Sequence, residues 1–212
     1  MPESALQDDA ACCPEGRCPW PGADAKYITY HDTEWGVPQR DGHALFEKLV
    51  LESFQAGLSW ITILRKRANC RAAFASFEPA VIAQWGDAEV ERLMTDTGIV
   101  RNRAKIVATI ANARAFNALG GAEPFAHICW QSVDGRPQQN SFATMADVPA
   151  VTPASTALSK RLKAADFKFF GPTTAYAFMQ SMGMVNDHLT TCARHAACAA
   201  LVEGFALPGT RP

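Results

Sequence analysis

Residues 158–180 read LSKRLKAADFKFFGPTTAYAFMQ, and the fold of the whole chain follows from how this stretch is read. Lys160, Arg161 and Lys163 mark a basic helix. A short apolar turn, Phe167-Lys168-Phe169-Phe170, follows and ends at Gly171. A second helix begins at once and puts Thr173 and Thr174 in its first turn, where hydroxyls can cap orphan N–H groups. A helix N-terminus with free N–H groups and the positive end of the dipole forms a phosphate seat. The neighbouring cations would add charge-assisted contacts that fix register without reading sequence. An ordinary corner between two helices is the alternative reading of the same spacing.

Outward from this stretch the periodicity stays helical. Towards the C-terminus, Gly183 ends the apolar helix and a final helix is predicted from about Asn186. Towards the N-terminus, Ser155 reads as the N-cap of the basic helix, and 123–153 reads as looser chain with turns at Asp134-Gly135 and Pro137. Arg101 to Ala118 forms a helix with Ile106, Ile110 and Ala113 on one face, stopped by Gly120-Gly121. Pro79 to Met94 reads as one amphipathic helix, with Glu78 near its cap and Gly98 beyond its end. Leu45, Leu49 and Ala56 recur at helical spacing, with Phe46, Val50 and Phe54 beside them, before a break at Gln55-Ala56-Gly57. The run 58–64 suits a strand by composition, but Arg65-Lys66-Arg67 at its end suits a helix C-terminus. No series of alternating strands emerges, so the predicted class is all-α. Residues 1–16 read as a flexible leader.

The bulk numbers leave room for this reading. Hydrophobic residues make up 48% and charged residues 19% of 212 residues, enough for a packed core in one domain or two intimately packed lobes. No apolar run reaches the ~18 residues needed to cross a bilayer. The start, MPESALQDDAACCPEG, lacks a basic region and an apolar core, so it predicts no export and a cytoplasmic protein with no membrane partner. The formal net charge of −1 excludes a strongly basic coat but not a basic face. Seven cysteines in a reducing compartment argue for metal ligands or buried thiols, not disulfides.

For metal, His188 and Cys192 are four apart and would share one face of a helix. Cys18 and His31 lie near the other end of the chain, no Cys-x-x-Cys pair exists, and Cys12, Cys13, His195 and Cys198 are rival donors. For a binding pocket, Trp20, Tyr27, Tyr30 and Trp60 are aromatics outside the strongest core stripes, although core packing explains any one of them. Glu52 lies at the edge of an apolar helix face. It is either a surface partner of Lys48 at i, i+4 or a carboxylate inside a cavity.

Three stretches together resemble the 3-methyladenine DNA glycosylase I family: Arg17-Cys18-Pro19-Trp20 with Tyr27-Ile28-Thr29-Tyr30-His31-Asp32-Thr33-Glu34-Trp35-Gly36-Val37-Pro38, then Leu51-Glu52-Ser53-Phe54-Gln55-Ala56-Gly57-Leu58-Ser59-Trp60, and Phe178-Met179-Gln180 through Val185-Asn186-Asp187-His188. Gly98-Ile99-Val100-Arg101-Asn102-Arg103-Ala104-Lys105-Ile106 also fits. The resemblance spans roughly residues 17–195. It implies a helix-hairpin-helix DNA glycosylase fold over 17–207, with the hairpin at about 156–182. The turn departs from the usual leucine-proline-glycine-valine-glycine form: here it is Phe170-Gly171-Pro172, with Thr174-Ala175 after it.

The resemblance also implies roles. Cys18, His31, His188 and Cys192 would hold one structural zinc per chain and join the N- and C-terminal segments. Trp20, Tyr27, Tyr30 and Trp60 would receive a flipped 3-methyladenine, with Glu52 as the catalytic carboxylate. Leu58 would fill the gap left in the duplex, while Gly171, Thr173 and Thr174 would hold the backbone. The expected partner is double-stranded DNA containing alkylated adenine, and the expected state is a monomer. Related hairpin glycosylases use an aspartate downstream of the hairpin. Asp187 lies in that interval, but it directly precedes His188 and is not assigned as a base. No lysine stands out as an amine nucleophile, so no strand-cutting lyase activity is expected. A non-catalytic DNA-binding module, a zinc hydrolase with an open metal site and a plain helical scaffold are the competing readings.

Overall fold

The computed structural model describes residues 16–207. The leader read over 1–16, apart from Gly16, lies outside the described residues, as do Cys12 and Cys13. Ten α-helices follow in order among the described residues: α1 (Ala25–Thr33), α2 (Gly42–Gln55), α3 (Trp60–Ala73), α4 (Pro79–Ile82), α5 (Asp87–Thr95), α6 (Arg103–Ala118), α7 (Ala122–Trp130), α8 (Pro153–Ala164), α9 (Pro172–Ser181) and α10 (Ala193–Ala200). None of them is long and apolar enough to cross a membrane. The all-α expectation holds, with one small addition: Gln138–Gln139 pairs in parallel with Val185–Asn186, Gln138 opposite Val185. Two residues per strand are too few for a period-two pattern to show in the sequence.

Helix α2 is the axis of the molecule. Asp41 caps it by accepting from the backbone N–H groups of His43 and Ala44. Ten of its fourteen residues are buried, and it packs against α3, α6, α7 and α9. A helix covered on nearly all sides belongs to the core. Phe46, Phe116 and Phe125 pack ring to ring around it, and Phe167 of the hairpin turn stacks on Phe125 at 5.2 Å. Two of α2's buried residues are charged, Lys48 and Glu52.

Several boundaries differ from the sequence reading. The run 58–64 enters a helix, and Arg65-Lys66-Arg67 falls inside α3, which continues to Ala73. Packing of Trp60, Ile63 and Leu64 into the core overrides the local end signal. The single helix expected over 79–94 is two, α4 and α5, because Gly86 adopts an extended conformation and caps α5. Helix α7 occupies part of the stretch read as loose, since Pro124 sits in its first turn, where a missing N–H is tolerated. Thr152, not Ser155, caps α8; Pro153 opens the helix, and Ser155 closes the capping box three residues on. The final helix starts at Ala193, not near Asn186, because Val185–Asn186 is committed to the parallel ladder.

The hairpin is α8, a turn and α9. Asp166 and Phe169 adopt positive φ in the turn. Buried Asn112 of α6 braces it by accepting from Lys168 N–H at 2.7 Å and donating to Lys168 C=O at 3.2 Å. Ser159 donates to Phe170 C=O at 2.8 Å.

Candidate active site

Helices α1, α2, α3 and α9 surround a cavity of about 200 Å³ lined by Trp20, Tyr27, Tyr30, Trp35, Glu52 and Trp60, with Gln55, Gln180 and Asp187 among the polar groups at its wall. That is smaller than a typical drug-sized site and suits one flat ring system. Asp24 caps α1 by accepting from Tyr27 N–H, and the three-residue step from Tyr27 to Tyr30 turns both phenols towards the cavity. Trp20 lies edge-on to Tyr27 at 4.9 Å and to Trp35 at 5.2 Å, and Tyr30 meets Trp60 at 5.3 Å.

Glu52 is 4% exposed. Of the two readings left open by the sequence, the surface pair is overturned: Glu52 borders the cavity and bonds Lys48 at 2.8 Å inside the protein, both side chains being buried. Lys48 also donates to the Tyr30 hydroxyl at 2.9 Å and stands 3.2 Å from the centre of the Trp60 ring. Burial lowers its ammonium to about 8, against the opposing pull of Glu52. Lys48 therefore keeps its proton at neutral pH. The Trp60 indole N–H is buried without a hydrogen-bond partner among the described residues, a donor that a bound molecule could satisfy.

Asp187 is buried on the cavity wall. Tyr176 and Gln180 donate to one of its oxygens at 2.5 and 2.8 Å, and Asn140 donates to the other at 2.6 Å. Trp35, Gln180 and Lys48 went unassigned in the sequence reading. Trp35 and Gln180 stand inside the quoted strings, but nothing in their spacing separates a pocket wall from core. Lys48 carried only the i, i+4 signal.

A second cavity of about 200 Å³ adjoins the first, sharing Glu52, Gln55 and Ala177 and adding Gly57, Leu58, Thr173 and Thr174. Leu58 is 43% exposed, not buried in the core. Gly57, at φ +84°, makes the turn that presents it. Lys105 fixes the turn from behind by donating to Phe54 C=O at 2.9 Å and Ala56 C=O at 2.6 Å, a contact no sequence signal announced. Gly171 is the exposed N-cap of α9, without a side-chain cap. Thr173 is exposed and Thr174 half-buried in the first turn of α9, after Pro172, which has no N–H of its own.

Behind the rings, Cys18, His31, His188 and Cys192 are all buried, and their donor atoms lie within 4.8 Å of one another. Cys18 Sγ is 3.7 Å from His188 Nδ1, and Cys192 Sγ is 3.6 Å from the same atom and 3.7 Å from His31 Nε2. These spacings and this donor chemistry fit a tetrahedral zinc ion. The outer contacts fit too: His31 Nδ1 meets Asp32 at 2.7 Å, Asp32 is held by Arg17, and His188 Nε2 meets Trp35 C=O at 3.0 Å. Such partners orient ligand imidazoles. Burial lowers His188 to about 3 and raises the Cys18 thiol to about 12. The imidazole thus offers a lone pair, and the thiol needs a cation beside it to ionise. The helical argument for His188 and Cys192 fails: residues 187–192 are irregular, and Cys192 is the N-cap of α10. A turn with Cys192 N–H on Leu189 C=O brings the two together instead. Gly36 is required nearby, since a Cβ there would sit 2.9 Å from His188 Nε2.

A family model described as methyladenine glycosylase matches residues 20–195. DNA-3-methyladenine glycosylase 1 of Escherichia coli (strain K12) is 50% identical over 177 residues, covering 83% of this chain and 95% of that protein. DNA-3-methyladenine glycosylase of Haemophilus influenzae is 48% identical, covering 83% and 96%. Among solved structures, a crystal structure of 3-methyladenine DNA glycosylase I superposes with a TM-score of 0.81 at 52% identity, covering 84% of this chain and 98% of that one. A variant of 3-methyladenine DNA glycosylase I in complex with 3-methyladenine superposes at 0.78 with 38% identity, covering 84% and 96%.

Proposed function

The chain belongs to the methyladenine glycosylase family, and from that premise we propose that it is a DNA repair enzyme that flips 3-methyladenine out of alkylated double-stranded DNA and releases it by hydrolysis. The observation that carries this reading is the buried ring-lined cavity with Glu52 on its wall. A methylated adenine still bound to its sugar carries a positive charge, so it is already a good leaving group. Ring faces favour a cation over a neutral purine. The Glu52 carboxylate accepts a hydrogen bond from the base edge and favours the same charge. Trp20, Tyr27, Tyr30 and Trp60 enclose the base, and water completes the reaction at the sugar.

The connected groove supports the DNA contacts. Leu58 fills the place of the flipped nucleotide. The open N-terminus of α9 at Gly171, Thr173 and Thr174 seats a phosphate. One chain carries cavity, wedge and hairpin, so a monomer suffices. Lys48, buried beside the pocket but outside its lining, has its ammonium committed to Glu52 and Tyr30, which favours hydrolysis without lyase chemistry. Cys18, His31, His188 and Cys192 would hold one zinc ion. With four protein ligands it would be structural, tying residues near both ends of the chain to the pocket wall. Buried free thiols at Cys70 and Cys129 suit a reducing cytoplasm.

The test is incubation with methylated duplex DNA, with chromatographic identification of the released base. Free 3-methyladenine is the expected product. Methylated DNA left intact by folded, metal-replete protein would refute the reading.

A further inference from the structure

Base release moves charge. The bond between C1′ and N9 breaks, its electron pair leaves with the base, and the base becomes neutral. The positive charge passes to the sugar until water adds at C1′ and gives up a proton to solvent. A fixed positive charge beside the base therefore disfavours the bound cation more than the departing neutral base. A fixed negative charge does the reverse.

The structure holds one of each, in contact. Glu52 borders the base cavity. Lys48 borders instead a third, charged cavity of about 160 Å³, together with Glu34, Glu47, Arg67 and Arg71. Glu34 pairs with Arg67 and Glu47 with Arg71, so those four charges are matched among themselves. The Lys48 ammonium is left facing Glu52, the Tyr30 hydroxyl and the Trp60 ring. At 3.2 Å from the ring centre, it already occupies one face of Trp60. A cationic base must use the other face and meets a resident cation across the indole. Tyr30 accepts from Lys48, which leaves its own O–H free to donate elsewhere.

We propose that Lys48 is a specificity-determining residue for charge: its ammonium, standing behind the aromatic wall, opposes Glu52, limits how tightly the cationic base is held and favours its departure as a neutral molecule. This rests on the reading of the ring-lined cavity as the base site. If Lys48 merely packed the core, its removal would change stability without changing the pocket's preference between a charged and an uncharged purine.

The experiment compares K48R/E52Q with K48M/E52Q, so that no carboxylate can change protonation and the cation, a guanidinium, stays charged without its counter-ion. K48M/E52Q also leaves no unpaired buried charge; circular dichroism checks the fold of both variants, and K48Q/E52Q replaces K48M/E52Q if it does not fold. The ligands, titrated calorimetrically at neutral pH, are neutral 3-methyladenine and the permanently cationic 3,9-dimethyladeninium. Loss of the ammonium should shift the affinity ratio towards the cation by about tenfold, as expected for one charge a few ångströms away in a partly screened interior. On methylated DNA, KM and kcat should both fall in K48M/E52Q relative to K48R/E52Q. An unchanged or opposite ratio overturns the proposal. So does loss of both ligands in K48R/E52Q, since Glu52 alone would then account for binding. Failure of the unsubstituted protein to bind either purine would instead remove the base-site reading, a separate and recognisable result.

Discussion

Two buried polar centres stand back to back in this protein, and they are finished in opposite ways. In the Cys18–His31–His188–Cys192 cluster every donor turns inward on the others. In the ring-lined cavity the side chains leave a space between them, with the indole N–H of Trp60 still unpartnered among the described residues. Neighbours along the chain serve opposite sides: Cys18 and Trp20, Tyr30 and His31, Asp187 and His188. Trp20 and Trp35 form the shared partition, meeting the cavity and lying 5.2 and 4.6 Å from the rings of His31 and His188 respectively. The difference teaches where stability and activity reside. A closed donor set can be satisfied by an ion that never leaves, whereas an open one is satisfied only when a ligand arrives.

The largest effect should come from breaking the closed centre. Replacing His188 or Cys192 with Ala, or stripping the metal with a chelator, should cost about 3 kcal/mol or more, a fall in Tm of roughly 10 °C. Elemental analysis should find one zinc per chain before and none after. Full metal content with an unchanged Tm would erase the distinction between the two centres.

Next comes the open centre. Glu52→Gln should lower excision by about a hundredfold. It also leaves Lys48 buried without its counter-charge, at a cost of about 3 kcal/mol. Lys48→Met added to Glu52→Gln should restore most of the stability and none of the excision. Denaturant melts alongside base-release rates separate the two outcomes, and stability that stays low in the double variant would mean that the ion pair was not the cause.

A smaller effect sharpens the role of Lys48. Its folded value of about 8 lies below the ordinary 10.5, so above about 8 the native state gives up the proton before the unfolded chain does. The unfolded state then binds more protons, and the Lys48 contribution makes stability rise with pH across that window. Chemical denaturation at stepped alkaline pH should show this rise in the unsubstituted protein and lose it in Lys48→Met. The smallest effect belongs to the rim. Leu58→Ala should slow excision from duplex DNA several-fold, worth about 1 kcal/mol, while Tm and affinity for the free base stay unchanged because the side chain is exposed.

The predominance of helices, the fold family and the identity of the residues at both centres were legible in the sequence. Long strings such as Tyr30-His31-Asp32 and Gln55-Ala56-Gly57-Leu58-Ser59-Trp60 carry them as local words. The reasons attached to those residues fared less well. His188 and Cys192 meet through an irregular turn, not on a helix face. Lys48 reads as a surface partner, yet its ammonium lies inside. Helix α7 was lost because a proline in a first turn looks like a break from one dimension.

By itself, the sequence determined what depends on neighbours along the chain: apolar periodicity, the glycine turns at Gly57 and Gly183, and the donor types available. Only the tertiary structure decided which side of the partition each donor and ring faces, and that Lys48 and Glu52 are buried together. Burial and electrostatic pairing are set by what lies opposite in space. For the Cys18–His31–His188–Cys192 cluster that means segments more than 150 residues apart, and for Lys48 the rings of Tyr30 and Trp60 on neighbouring helices; no local pattern records either approach.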